Sequence, residues 1–512
     1  MTAVVRRTAP RALALVAYVA AAAVGVVVSV RLAGGQHVFP LDDAYIHLSI
    51  ARTLAEHGTY GLQPGAFATP ASSLAWPLLL AGASRLGLPL EGGALVLSLL
   101  AGGAALLVVD EVFLRHSRYA ARPTARGLWL AAFAALVPLL PMGLLGMEHA
   151  LHITVVVALV GYVLHLAEAA PRATLSRSAT LAAALLAAAA TSLRYESLFV
   201  VAALAAWLLV RRRRSLAAFV VVGAVVPLLV AAAFFAAHGA PPMPASVVLK
   251  RARFTLGELP ALWLARGRAH PHAPALLVAL ALAAWRSPVA RARPWLFVAA
   301  VALACQATFA QLGWLFRYES YAVALAVVGL ALSLDGAFVG RAVVVLLLLP
   351  LGLRAASAHA ALPRASRNIA EQQREVARLV AARKPQAVAV NDVGAVSYFG
   401  QSRVLDLMGL ADLRVAAAKG MHIDGRLPPD DLARLVAADG VELAVLYERW
   451  FEGALPGGWV PVLRLRIRDN HVCAFDTVTL YAVGEARAPD LRAFLERYRP
   501  SFSPRVEVVP VP

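Results

Sequence analysis

ALALVAYVAAAAVGVVVSVRLAGGQHVFPLDDAYIHLSIARTLAEHG, residues 12–58, sets an unbroken apolar run against a stretch with two adjacent acids, and the halves ask for different solvents. The run to about Val30 follows Arg6, Arg7 and Arg11 and has no processing site of small residues soon after it. About 19 apolar residues is long for a signal-peptide core and right for a span, so it reads as a retained first helix entering from the cytoplasm. Beyond it, Asp42 or Asp43 can cap a helix that Gly58 stops. Ala44, Leu48, Ala51 and Ala55 form one apolar face of that helix, as expected at a membrane surface, and Asp43 and His47 project together one turn apart.

Composition extends the reading to the whole chain. Of 512 residues, 60% are hydrophobic and 15% charged, against about 25% charge in soluble domains, and the mean hydropathy is +0.69. The bilayer is therefore the expected solvent for most of the protein. A net charge of +18 comes from short arginine clusters between apolar runs, the pattern of topology signals, so no nucleic-acid partner is expected. Cys305 and Cys473 imply no disulfide framework, and none of Asn368, Asn391 and Asn470 opens an Asn-x-Ser/Thr acceptor. A Gly-x-x-x-x-Gly-Lys-Ser/Thr loop is absent from the sequence, so nucleotide-dependent chemistry finds no support.

Further apolar runs lie at roughly 94–114, 127–145, 149–168, 179–193, 197–210, 215–237, 273–286, 294–312, 320–334 and 339–354. The stretch 71–90 is apolar but carries Pro77 and Arg85. If it does not cross, the clusters Arg115 to Arg126, Arg172 with Arg177, Arg211 to Arg214 and Arg286 to Arg293 all fall on the cytoplasmic side. The positive-inside bias selects that parity, making 71–90 re-entrant or interfacial and leaving about eleven spans. Residues 1–354 then form a transmembrane module with a first outer loop at 34–72. Residues 355–512 form an α/β domain on the side opposite the N-terminus, with an amphipathic helix opening at Glu371, strands at Ala387–Val390, Leu443–Tyr447 and Val460–Ile467, and a helix at 429–438.

Sorted by side, the polar residues that interrupt the apolar runs land almost entirely outside. Besides Asp42, Asp43 and His47, they are Glu148 and His149 in Gly146-Met147-Glu148-His149, Arg194 and Glu196 about Tyr195, Lys250 after Pro244-Ala245-Ser246, and Arg317 and Glu319 about Tyr318. Each alone reads equally as a helix cap or an interfacial anchor. Several such placements on one face, at a depth where charge is expensive, fit one water-filled cavity lined by acids and bases. Transfer of a sugar from a polyprenyl phosphate uses such a set, with a carboxylate to deprotonate an acceptor hydroxyl and cations to hold the departing phosphate.

The same residues resemble the GT-C superfamily of membrane glycosyltransferases, which includes protein O-mannosyltransferases, lipid A aminoarabinose transferases and actinobacterial arabinofuranosyltransferases. The likeness is carried by DDAYIHLSIARTLAEHG (42–58), GMEHALH (146–152), LRYE (193–196), PASVVLK (244–250), FRYESYAV (316–323), NIAEQQREVARLV (368–380) and NDVGAVSYFGQSRVLDLMGL (391–410). It implies an inverting transferase in a bacterial inner membrane that takes a polyprenyl-phosphate sugar and a glycan, lipid or protein acceptor. One acid of Asp42-Asp43 is the implied base, with Asp42 preferred as the first of the motif. Arg194, Lys250 and Arg317 would contact phosphate, and His47, Glu148, His149, Glu196 and Glu319 would shape the substrate site. Relatives often carry Pro-Asn-Thr or Pro-Asn-Ser where this chain has Pro244-Ala245-Ser246. Some members bind a divalent metal, but no compact ligand set is visible here and none is expected. A transporter or flippase is the rival reading, with the same charges lining a path.

Overall fold

A computed structural model describes residues 3–116, 118–169, 175–250, 254–334, 340–420, 427–451 and 453–511. The membrane part comprises α1 (Ala3–Leu32), α2 (Asp42–His57), α3 (Ala75–Arg85), α4 (Leu90–His116), α5 (Pro123–Leu136), α6 (Leu139–Leu144), α7 (His149–Ala169), α8 (Arg177–Leu193) and α9 (Ser197–Val210). It continues through α10 (Arg214–Ala237), α11 (Ala245–Lys250), α12 (Leu259–Ala269), α13 (His272–Arg286), α14 (Arg293–Phe309), α15 (Ser320–Leu334), α16 (Arg341–Leu346) and α17 (Leu349–Glu371). Every residue of α15 is buried, as its all-round apolar sequence requires of a helix enclosed by others.

Among the described residues, six stretches are long and apolar enough to cross: Thr8–Leu32, Leu90–Arg115, His149–Glu168, Arg214–Ala237, Ala290–Phe309 and Arg341–Arg383. Four other apolar helices, α8, α9, α13 and α15, fall in the range of 10–17 residues. The run at 127–145 divides at Val137-Pro138 into α5 and α6, where proline removes a backbone donor and obstructs the preceding turn. In the 71–90 stretch, α3 has only 11 residues. It rises about 17 Å, roughly half the hydrocarbon thickness. Arg85 donates from α3 to the carbonyls of Leu54 and Ala55 at 3.2 and 3.4 Å, which satisfies the C-terminal end of α2.

Past the membrane part, α17 runs through the expected boundary at 354/355 and bends at Gln372 (φ −116°, ψ −76°) into α18 (Gln373–Arg383). A six-stranded mixed sheet follows, in the order β2-β1-β3-β5-β4-β6. Its strands are β1 (Ala387–Val390), β2 (Arg403–Asp406), β3 (Val441–Leu446), β4 (Trp459–Arg466), β5 (Thr477–Val483) and β6 (Glu507–Pro510). The first three run parallel and the rest antiparallel. Between them lie α19 (Gly394–Phe399), α20 (Leu413–Gly420), α21 (Pro429–Asp439) and α22 (Ala488–Tyr498). The expected strands at 387, 443 and 460 and the helix at 429 are present, whereas β2, β5 and β6 had not been anticipated.

The segment between α1 and α3 grips this domain at separate points. Arg374 of α18 donates to the carbonyl of His37 at 3.1 Å. Gln63 donates to the carbonyl of Val404 at 2.7 Å and accepts from its amide at 3.3 Å, so one side chain completes the pairing of edge strand β2. Arg52 of α2 donates to the carbonyls of Ser397 and Tyr398 at 3.0 and 2.7 Å, a cation at the negative end of α19.

Candidate active site

The acid pair opens α2 beyond the C-terminal end of α1, and its two members face different partners. Leu41, not an aspartate, holds the N-cap position of α2, and no side chain caps it. Asp42 caps another helix: its Oδ2 accepts from the amide of Gly394 at 2.7 Å and its Oδ1 from that of Ala395 at 2.8 Å. With Arg52 at the far end, α2 therefore supplies an anion to the start of α19 and a cation to its finish. Burial raises Asp42 above the ordinary carboxylate range, helped by the neighbouring Asp392, while the two amides oppose the shift. Gly58 ends α2 in the left-handed conformation (φ 69°), as anticipated.

Asp43 turns the other way and accepts from Arg317 at 2.8 Å; the acid is 28% exposed and the arginine 2%. Arg317 also donates to Tyr318 Oη at 3.1 Å, lies 3.4 Å from the Met147 sulfur and sits 4.9 Å over the Tyr318 ring. The backbone that presents it is strained: Gly313, Trp314, Leu315 and Phe316 have φ of 87°, 49°, 56° and 57°. A left-handed turn of non-glycine residues costs roughly 1–2 kcal/mol each and persists only where its surroundings enforce it. Glu319 supplies the enforcement, accepting from the amide of Gly313 at 3.0 Å. It is fully buried with Arg354 at 3.1 Å and His272 at 3.2 Å, and Arg354 donates onward to the carbonyl of Phe316 at 2.7 Å.

A second ionic cluster lies alongside. Arg194 donates to Glu148 at 2.7 Å and to Glu196 at 2.6 Å, and its guanidinium stands 5.8 Å from the same Tyr318 ring. His47 Nε2 lies 3.5 Å from Glu148, and His149 lies 3.9 Å from it. Burial lowers His47 below the usual histidine range, so it faces Glu148 as a neutral ring. Gly146 has a left-handed φ of 68°, and a Cβ there would run into the Phe39 ring. That close approach lets Trp76 and Ser98 fix the carbonyls of Gly146 and Met147 at 3.2 and 2.9 Å, which sets Glu148 in place.

Of the anticipated residues, Asp42, Asp43, His47, Glu148, His149, Arg194, Glu196 and Arg317 thus meet in one region where α2, α7, α9 and the 313–319 turn converge. Glu319 adjoins it but faces inward, away from Asp43. The Lys250 side chain lies outside the described residues; the start of α11 meets the segment between α2 and α3 where the amide of Ala245 donates to the carbonyl of Thr69 at 3.2 Å. Arg354, His272 and Asp392 escaped the sequence reading, since Arg354 looked like the polar end of a span and its partner lies 35 residues away. Among the described residues, no group of three or more His, Cys, Asp or Glu could hold a metal ion.

An apolar cleft of about 800 Å³ opens between α3, α8 and α10, lined by Leu78, Ala188, Phe219, Val226, Phe235 and others. Ser192, two positions before Arg194 in the chain, is among its lining residues.

Among solved structures, ArnT from Cupriavidus metallidurans bound to undecaprenyl phosphate matches with a TM-score of 0.53 over 92% of this chain and 98% of that one, at 14% identity. The chain has the fold of ArnT. The apo form of ArnT aligns equally well, with a TM-score of 0.52 and 15% identity over 92% of this chain and 98% of its own. The arabinofuranosyltransferase AftD from mycobacteria aligns at a TM-score of 0.43 and 15% identity, covering 91% of this chain and 41% of its own. Within the ArnT-like fold, residues 367–481 match a family described as a domain of unknown function, DUF8728. No curated protein matches the sequence.

Proposed function

We propose that the chain is a membrane glycosyltransferase that moves a sugar, with inversion, from a polyprenyl-phosphate donor to a hydroxyl of a cell-envelope acceptor. The observation that carries this is the Asp43–Arg317 pair, a partly exposed carboxylate touching a buried guanidinium, in a protein that also has an apolar cleft of hydrocarbon size. Asp43 serves as base in preference to Asp42, because both oxygens of Asp42 already receive amides. In the step, Asp43 takes the acceptor's proton, the acceptor oxygen bonds to the anomeric carbon, and the bond from that carbon to phosphate oxygen breaks. The phosphate leaves with the electron pair, its charge met by Arg194, Arg317 and Lys250. The cleft takes the polyprenyl tail, a match supported by the undecaprenyl phosphate bound to ArnT. Glu148, Glu196, His47 and His149 orient these groups, and Glu319 positions Arg317 through its turn.

The eleven-span topology belongs to the same proposal, in a bacterial inner membrane with the N-terminus cytoplasmic and residues 355–512 periplasmic. The test is to delete the gene, compare envelope glycans and lipid-linked sugar pools by mass spectrometry, and complement with wild type, Asp42→Asn and Asp43→Asn. Lipid-linked sugar accumulating on the outer leaflet, with no rescue by Asp43→Asn, is the expected result. Accumulation on the cytoplasmic leaflet would mark a transporter, and full rescue by both variants would remove the base.

A further inference from the structure

The outer domain brings an acid of its own to the pair. Asp392 stands two residues before Gly394, whose amide holds Asp42. Its Oδ2 lies 2.9 Å from Gln373 Nε2 and 2.9 Å from Tyr447 Oη, and Tyr447 Oη lies 2.6 Å from Gln372 Oε1. Both amides are oriented from outside this cluster: Gln372 Nε2 donates to the carbonyl of Phe475 at 3.1 Å, and Gln373 Oε1 accepts from Cys473 Sγ at 3.5 Å.

Counting protons then assigns a charge state. A tyrosine hydroxyl has one proton to give. At 2.6 Å from the amide oxygen of Gln372, that proton belongs between the two, because bare oxygens repel at this separation. The 2.9 Å contact from Tyr447 to Asp392 therefore has a hydrogen only if the carboxyl supplies it. A neutral Asp392 donates to Tyr447 and Tyr447 donates to Gln372, so no short contact is left between bare oxygens; Gln373 Nε2, which also lies 3.1 Å from Gln372 Oε1 and 3.2 Å from Tyr447 Oη, shares its two hydrogens among the three oxygens.

The surroundings agree. The titratable groups that face Asp392 are Asp42 and Asp43 from α2, Tyr447 from the end of β3, and Cys473 from the loop before β5. Burial and the adjacent carboxylates raise both Asp392 and Asp42, and two acids sharing such a pocket retain a proton between them. Of the two, Asp42 receives two backbone amides, which favour placing the shared negative charge there and the proton on Asp392.

On the transferase reading above, we propose that Asp392 is a positioning residue supplied by the outer domain: it holds a proton at neutral pH and so keeps a third negative charge away from Asp42 and Asp43. As pH rises, Asp392 ionises, its charge acts on Asp42, the Tyr447 contact loses its hydrogen, and turnover falls.

Asp392→Asn is the test, since its amide N–H replaces the carboxyl O–H. In the full chain in lipid nanodiscs, release of polyprenyl phosphate by Asp392→Asn stays within about threefold of wild type at neutral pH and loses the alkaline decline that wild type shows. Infrared difference spectra of wild type against Asp392→Asn show a neutral-carboxyl band at neutral pH, a readout that needs no activity. A loss of about 100-fold or more in folded Asp392→Asn at neutral pH, an unchanged alkaline decline, or a difference spectrum without that band overturns the proposal. Wild type that releases no polyprenyl phosphate would end the transferase reading instead, and the infrared band would still decide the proton.

Discussion

Replacing Gly394 with alanine separates the two halves of the molecule at one atom. The added methyl would collide with the backbone oxygen of Asp42 and lie 2.8 Å from its Oδ2, so α19 or the start of α2 must move. The amide-to-carboxylate bonds at 2.7 and 2.8 Å are then lost. Each is worth about 1.5–3 kcal/mol with a charged acceptor, so together they contribute about 3–6 kcal/mol before relaxation. The next residue on α2 is Asp43, and a shift of about 1 Å in a reacting group lowers a rate on the order of 100-fold, or about 2.7 kcal/mol of barrier. Release of polyprenyl phosphate by purified protein in nanodiscs should fall by that factor, with a lower Tm and unchanged helical content by circular dichroism. A Gly394→Ala protein with wild-type turnover and Tm would refute the claim that the C-terminal domain holds the acids in place.

Two further substitutions probe the other walls of the site. Arg317→Met leaves Asp43 without its cation and should lower turnover about 100-fold; Arg317→Lys should recover only part, since a point charge cannot hold Asp43, Tyr318 and Met147 together, and full recovery would reduce Arg317 to simple charge. Ala188→Trp fills the apolar cleft and should raise KM for a long-chain lipid donor while leaving a short-chain donor unaffected, and an unchanged long-chain KM would move the tail elsewhere.

What the sequence disclosed and what it hid follow the range of the forces involved. Apolar runs report local transfer to lipid, so the helices were legible, as was the grouping of Glu148, Arg194 and Arg317 in one region. Strands β1 and β3, short apolar runs in the buried middle of the sheet, were also legible. Strand β2 opens on the exposed Arg403 and β6 is largely exposed, so neither offers a contrast of burial to detect. Asp42 shows the deeper difficulty. Its position before a helical run announces a cap, and it is one, but for a helix 352 residues downstream. Likewise nothing near Glu319 in the sequence points to Arg354, because that contact depends on how α17 packs.

That separation between Asp42 and the amide of Gly394 has a consequence for biosynthesis. A ribosome adding about 10 residues per second needs roughly half a minute to cover the interval. Throughout that time the growing polypeptide carries its acids at the membrane rim without their clamp. A chain cut short of Gly394 would enter the membrane with Asp42 unclamped, so the pairing of these two distant residues is made only after the helices before it have been synthesised.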